Sequence, residues 1–343
     1  MKKLLAFASI VCSLSIPSLP CFSQTSGFKT IKKIAAKGDG KWDFITYDSV
    51  KKRLFVSHGT SVQVIDIEKE TVIGEVQNTP GVHGIAVVNE VNKGFTSNGK
   101  DSTVTVFDLS TFTTLKTIKL NGKNPDHIIY DSFSKRVFAF NNKSANMSVI
   151  DPKGENVLAT IDLGGMPELA VSNDKGKIFV NLEDKSEVVE FDALSYKITS
   201  RWSLKPGEEP TGIALDKENK RLFIGCANKL LVVLDAKNGK LITTLPIGEK
   251  VDGVAFDPEL KLIFTSNGEG TVTVIQQETM NTYKVLENVP TKKGAKTLAY
   301  DQDKHRLYLP SADYGTPEAA SAENPNPKAP IAPGTFGVLV VGK

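Results

Sequence analysis

The sequence predicts an all-β fold, a seven-bladed β-propeller of four-stranded antiparallel blades, on three observations. A unit recurs along the 343-residue chain, every copy is built from short alternating apolar runs, and the first such run lies before the first complete copy.

The recurrence comes first because a period of about 40 to 45 residues is the mark of a propeller. The segments 44–57 and 210–225 align without a gap over their shared core, Arg53-Leu54-Phe55-Val56 against Arg221-Leu222-Phe223-Ile224. The apolar residue that opens the unit falls at Ile45, Ile85, Ile128, Leu169, Ile213, Val254 and Leu298, one for each of seven units. A second marker keeps the register: an apolar strand ends in Asp66, Asp108, Asp151, Asp192 and Asp235, with Gln276 in the sixth copy.

Within a unit, four runs rich in Val, Ile, Phe and Thr alternate with turn residues. In the first unit they are Ile45 to Tyr47, Arg53 to Ser57, Val62 to Ile67 and Thr71 to Val76, here strands A to D from the axis outward. No three-turn helical pattern interrupts them. One blade of this size cannot bury both faces of its sheet, so neighbours must stack, and radial closure then removes long exposed edges. The seventh unit reaches only a third strand at 336–341, while 28–35 reads as a fourth strand without a blade. The N-terminal strand is therefore expected to close the last blade.

Lys2 and Lys3 precede an apolar run from Leu4 to Ile16, then Pro17, Pro20 and small residues through Ser23. This is the pattern of a secretory signal peptide over 1–23, too short to span a bilayer of about 30 Å, and it leaves a single propeller over 24–343. Modification at Cys21 is the alternative, disfavoured by Pro20 directly before it. Export to the periplasm or medium, as a monomer without a transmembrane segment, is the expectation. Of the three cysteines only Cys226 lies beyond the signal, so no internal disulfide forms. A formal charge of +3 gives no bulk attraction for nucleic acid.

The second strands read Phe55-Val56-Ser57-His58, Phe95-Thr96-Ser97-Asn98, Phe138-Ala139-Phe140-Asn141, Phe223-Ile224-Gly225-Cys226, Phe264-Thr265-Ser266-Asn267 and Tyr308-Leu309-Pro310-Ser311. They resemble the Tyr-Val-Thr-Asn signature of YVTN-repeat propellers, and with the export signal the chain is similar to the YncE-like branch. That resemblance implies a secreted or periplasmic propeller, with DNA binding in some relatives and enzymes among its structural cousins. A fold likeness of this kind narrows function weakly. Trp42-Asp43 lies before strand A, so it does not match the dipeptide that closes strand C in WD40 repeats.

The topology places the D-to-A and B-to-C loops on one face. Just before strand A stand Asp43, His83, Asp126 with His127, Glu168, Thr211, Asp252 and Lys296; just after strand B stand His58, Asn98, Asn141, Leu182, Cys226, Asn267 and Ser311. Three of the four histidines map to this mouth, and His305 maps to the opposite face. The Pro-rich segment 311–335 emerges on the mouth side and is a candidate lid, with Asp313, Tyr314 and Glu318 reaching inward.

The expected site is the mouth, with Asp43, His58, His83, Asn98, Asp126, His127, Asn141, Glu168, Asp252, Asn267, Lys296 and Tyr314 as ligand-binding candidates. His83, His127, Glu168 and Asp252 are the candidates for a divalent metal, the cofactor these donor types would take. No compact metal motif, Gly-x-Ser-x-Gly elbow, Walker loop or Cys-x-x-Cys-His haem attachment is present. A non-covalent haem remains open, as does a thiol role for Cys226.

Three readings follow for the mouth and the rims. A binding propeller would take a small ligand, metal complex or protein segment at the mouth; a metal-assisted hydrolase or lactonase would use the same residues; an interaction scaffold or DNA-binding protein would use the rims. For the last, basic residues gather in A-to-B turns, as in Lys51-Lys52-Arg53, Lys135-Arg136, Lys220-Arg221 and Lys304-His305-Arg306.

Overall fold

Alternating apolar runs of six or seven residues become strands because one face of each sheet can be buried only against the next sheet. The computed structural model describes residues 25–38, 40–319 and 326–343. The expected signal segment, with Cys12 and Cys21, lies outside the described residues, as do 320–325 of the Pro-rich segment.

Seven four-stranded antiparallel sheets stand around one axis. Blade 1 consists of Trp42–Asp48, Arg53–His58, Ser61–Asp66 and Thr71–Val76. The A strands of blades 2 to 6 are Val82–Val88, Pro125–Asp131, Pro167–Ser172, Pro210–Asp216 and Val251–Asp257. Blade 7 combines Ala299–Asp301, Arg306–Ser311 and Gly337–Gly342 with Lys29–Ala35, which pairs antiparallel with Gly337–Gly342. The N-terminal strand thus closes the ring. Among the described residues helical structure is limited to three one-turn 3-10 segments, and no helix is long and apolar enough to cross a membrane.

The core lies between blades. Leu54, Val56 and Ile65 of blade 1 pack on Tyr308, Val338 and Val340 of blade 7, and Phe138, Phe140 and Val149 of blade 3 pack on Ile178, Val180 and Val189 of blade 4. The recurring Asp that ends strand C has a local cause: Asp66 Oδ1 accepts the N–H groups of Glu68 and Lys69, both at 2.9 Å, and Asp108 and Asp192 cap their own turns likewise. The carboxylate that ends strand A ties blades together, Asp216 accepting from Gln277 at 3.0 Å and Asp257 meeting His305 at 2.7 Å.

Each A strand of blades 1 to 6 begins with an irregular register against strand B. Trp42 faces His58 while Ile45 faces Val56, so Asp43 and Phe44 together oppose Ser57. The same bulge carries His83 and Gly84 in blade 2, Glu168 and Leu169 in blade 4, and Thr211 and Gly212 in blade 5. Blades 3 and 6 insert Asp126 and Asp252 as single extra residues. Blade 4 departs from the sequence marker by one position, because Ala170, not Leu169, faces Val180 as Ile45 faces Val56.

Candidate functional site

A bulge bends its strand and re-aims the extra side chain. At the same place in successive blades it turns Asp43, His83 and Asp126 toward one another. Hydroxyls at the penultimate position of strand B hold these bulges: Ser57 Oγ accepts the Asp43 N–H at 3.0 Å, and Ser97 Oγ accepts the Gly84 N–H at 2.8 Å while donating to the Asp126 carbonyl at 2.6 Å. Ser266 donates to the Lys296 carbonyl, and Asn181 donates to the Thr211 carbonyl at 2.8 Å.

His83 Nδ1 lies 2.7 Å from Asp43 Oδ2 and 3.2 Å from Asp126 Oδ1. Lys296 binds Asp252 directly and stands 3.7 Å from Asp43 Oδ1. Glu168 accepts from Asn142 at 2.9 Å and shares a hydrogen bond with Glu183. Gly99 leaves room for the imidazole, since a Cβ there would sit 2.5 Å from His83 Nε2.

Crowded carboxyls in a desolvated ring retain protons. Burial first, then the charges of Asp43 and Asp252, push Asp126 up to about 7 against the opposing pull of His83 and Lys296. Burial, Asp126, Glu183 and Asp252 push Glu168 up to about 9. Asp252 is likewise raised, mainly by burial, with Lys296 opposing. Burial disfavours a charged His83, yet its bond to Asp43 and the charges of Asp126 and Asp43 outweigh that and raise its pKa. Burial also acts against the Lys296 ammonium, and Asp252 and Asp43 overcome it.

The remaining candidates are engaged differently. His127 accepts the Ala170 N–H on Nδ1 at 3.1 Å, which puts the proton of the neutral ring on Nε2, and burial depresses its pKa to about 4. Its ring lies 5.4 Å from Phe44, forming an apolar floor at the top of a channel cavity of about 420 Å³. His58 stacks on Phe336 at 4.5 Å beneath Gly38, where a Cβ would sit 2.6 Å from the imidazole. Gly38 has φ +86°, a left-handed conformation suited to glycine.

Asn98, Asn141 and Asn267 are fully buried within their blades. The Asn98 amide donates to Thr103 at 3.0 Å and Thr105 at 2.8 Å, Asn267 repeats this with Thr271 and Thr273, and Asn141 uses Asn146 and Ser148. These amides bind strand B to strand C rather than face the ring. In these three blades the C strand opens with two polar side chains two residues apart, Thr103 and Thr105, Asn146 and Ser148, and Thr271 and Thr273, which receive the amide. Cys226 is buried and its thiol is pushed up to about 12 by burial, which leaves no thiolate at neutral pH.

Tyr314 stands at the rim with its ring 6.4 Å from Trp42, and its hydroxyl is raised by burial, with Lys296 opposing. Asp313 pairs with Lys292, and Glu318 is exposed. The base of the Pro-rich segment is a short ladder in which Gly315 donates to the Pro330 carbonyl and Ala332 to the Asp313 carbonyl, both at 2.8 Å. On the opposite face several basic residues pair with carboxylates across blades, Lys52 with Asp303, Lys135 with Glu90 and Lys217 with Asp174, while Arg53 and Arg221 are buried.

No family model matches the chain. Over 188 residues it is 26% identical to Antigen Lp49 of Leptospira interrogans, a match covering 52% of this chain and 41% of that protein, so it spans less than half the relative's length. Among solved structures it is similar to Kuenenia stuttgartiensis hydrazine synthase, with a TM-score of 0.71 and 17% identity over 87% of this chain and 97% of that one. It is also similar to U3-55K, with a TM-score of 0.75 and 9% identity over 92% and 98% of the two chains. The RRP9 WD40 repeats give a TM-score of 0.75 and 9% identity over 93% and 98%. At these identities the likeness carries the propeller fold alone, and the chemistry rests on the mouth residues.

Proposed function

We propose that this chain is an exported binding propeller of the YVTN-repeat kind, whose channel mouth receives a small ligand through a cationic group. One observation carries the reading: the A-strand starts bring four carboxyls, Asp43, Asp126, Glu168 and Asp252, around one ammonium, Lys296, and one imidazole, His83. The ring is short of positive charge, and protons held on Glu168 and Asp126 make up part of the deficit. A ligand cation entering the mouth would displace them and gain the full attraction of the carboxylates. Tyr314 at the rim offers an aromatic face beside the same opening. Export is supported by the Lys2-Lys3 and Leu4 to Ile16 pattern, and the antigen among the relatives fits such a location.

The test is calorimetric titration of the metal-stripped mature protein with spermidine and with arginine at pH 7.5. The expected outcome is saturable binding to one site, with proton release, weakened at least tenfold in Asp252→Asn. Absence of heat with both amines, or unchanged binding in that variant, rejects the reading.

A further inference from the structure

We infer that Asp43, His83 and Asp126 form a binding site for one divalent transition-metal cation, a refinement that rests on the mouth being the ligand site. Three features of the geometry carry it.

First, the donors converge. Their ligand atoms all lie within 4.8 Å of one another, and they come from the same bulge position of three successive blades. The bulges are held by Ser57 and Ser97, so the donors are fixed by the fold rather than by flexible loops.

Second, one imidazole nitrogen faces two carboxyl oxygens. His83 Nδ1 faces carboxylate oxygens at 2.7 and 3.2 Å on different blades, and a single N–H points well at only one of them. A cation at the point of convergence would satisfy both carboxylates and accept the deprotonated Nδ1 lone pair together.

Third, the surroundings suit an ion with open positions. Lys296, 3.7 Å from Asp43 Oδ1, orients that carboxylate from the far side, as outer partners of metal ligands do. Phe44 and His127, the residues following Asp43 and Asp126, close the floor with rings 5.4 Å apart. His127 keeps its Nδ1 lone pair on the Ala170 N–H, so that atom is not a ligand.

One imidazole and two carboxylates form a mixed donor set. It favours Zn²⁺ or Mn²⁺ over Mg²⁺ and Ca²⁺, which take oxygen donors. Three protein donors leave further coordination positions for water or an oxygen-bearing ligand.

The experiment is titration of the EDTA-stripped mature protein with ZnCl₂, MnCl₂ and MgCl₂, read by calorimetry and by native mass spectrometry. Expected are one Zn²⁺ or Mn²⁺ per chain, at least tenfold preference over Mg²⁺, and at least tenfold weaker binding in His83→Asn and Asp126→Asn. Circular dichroism establishes that each variant is folded, and Lys135→Ala on the opposite face serves as control. If His83→Asn does not fold, Asp43→Asn takes its place. No stoichiometric Zn²⁺ or Mn²⁺, or binding unchanged in folded variants, overturns the site. In the wild type, spermidine binding without stoichiometric metal binding would overturn the metal site alone, and absence of both would remove the mouth reading as well.

Discussion

Glu168 shows at the scale of one residue how the mouth makes stability depend on pH. Its folded pKa is about 9, raised from an ordinary 4.5, so the folded chain holds this proton more tightly than the unfolded one. The resulting stabilisation is complete below about pH 4.5 and is lost as pH rises through about 9. With EDTA present, the melting temperature of the wild type should therefore fall between pH 6 and pH 9, and Glu168→Gln should flatten that slope. An equal slope in the variant would show that Glu168 does not bind the proton. The pre-A positions, Asp43, His83, Asp126, Glu168, Asp252 and Lys296, were legible in the sequence because each stands one or two residues before the apolar marker of its unit. The direction of the post-B side chains was not, because strand-end geometry decides whether Asn98 turns to the mouth or to Thr103 and Thr105 of the next strand.

At the scale of the element, the bulged start of strand A is what converts a repeated strand into a ring of inward side chains. Alternation alone predicted strand A from Ile45 to Tyr47, whereas the strand runs Trp42–Asp48 with the bulge inside it. Period-2 patterning cannot report an inserted residue, since the insertion breaks that period. The marker at Leu169 is displaced because that apolar residue stands one position before Ala170, which takes the place Ile45 has in blade 1. Ser97 pins two bulges at once, through the Gly84 N–H and the Asp126 carbonyl. Ser97→Ala should cost about 1 to 3 kcal/mol by leaving the buried Gly84 N–H unpaired. It should also weaken ligand binding at the mouth several-fold, although Ser97 is fully buried. Urea unfolding and calorimetry on one sample read both effects; a stability loss with unchanged binding would mean that the bulge holds its shape without the hydroxyl.

At the scale of the whole molecule, closure decides whether seven blades form one object, and the sequence announced it because the last unit lacked a fourth strand while the N-terminus supplied a spare one. Lys29–Ala35 pairs along Gly337–Gly342, and the segment 28–35 carries two anchors into different inter-blade cores. Phe28 lies against Phe264 at 4.9 Å between blades 6 and 7, and Ile34 lies with Ile45 and Val338 between blades 7 and 1. Truncating buried Phe or Ile side chains costs about 2 to 5 kcal/mol each, and removing the strand also exposes the Gly337–Gly342 edge to pairing with other chains. A chain beginning at Lys37 should therefore melt well below one beginning at Thr25 and should form concentration-dependent oligomers in light scattering. A synthetic peptide of residues 25–36 should restore both the melting temperature and the monomer, because the edge and both anchor pockets belong to the remaining blades. The same peptide with Phe28→Ala and Ile34→Ala should fail, since backbone pairing alone offers little net stability in water. Equal rescue by the two peptides would place the closure energy in the ladder rather than in the anchors.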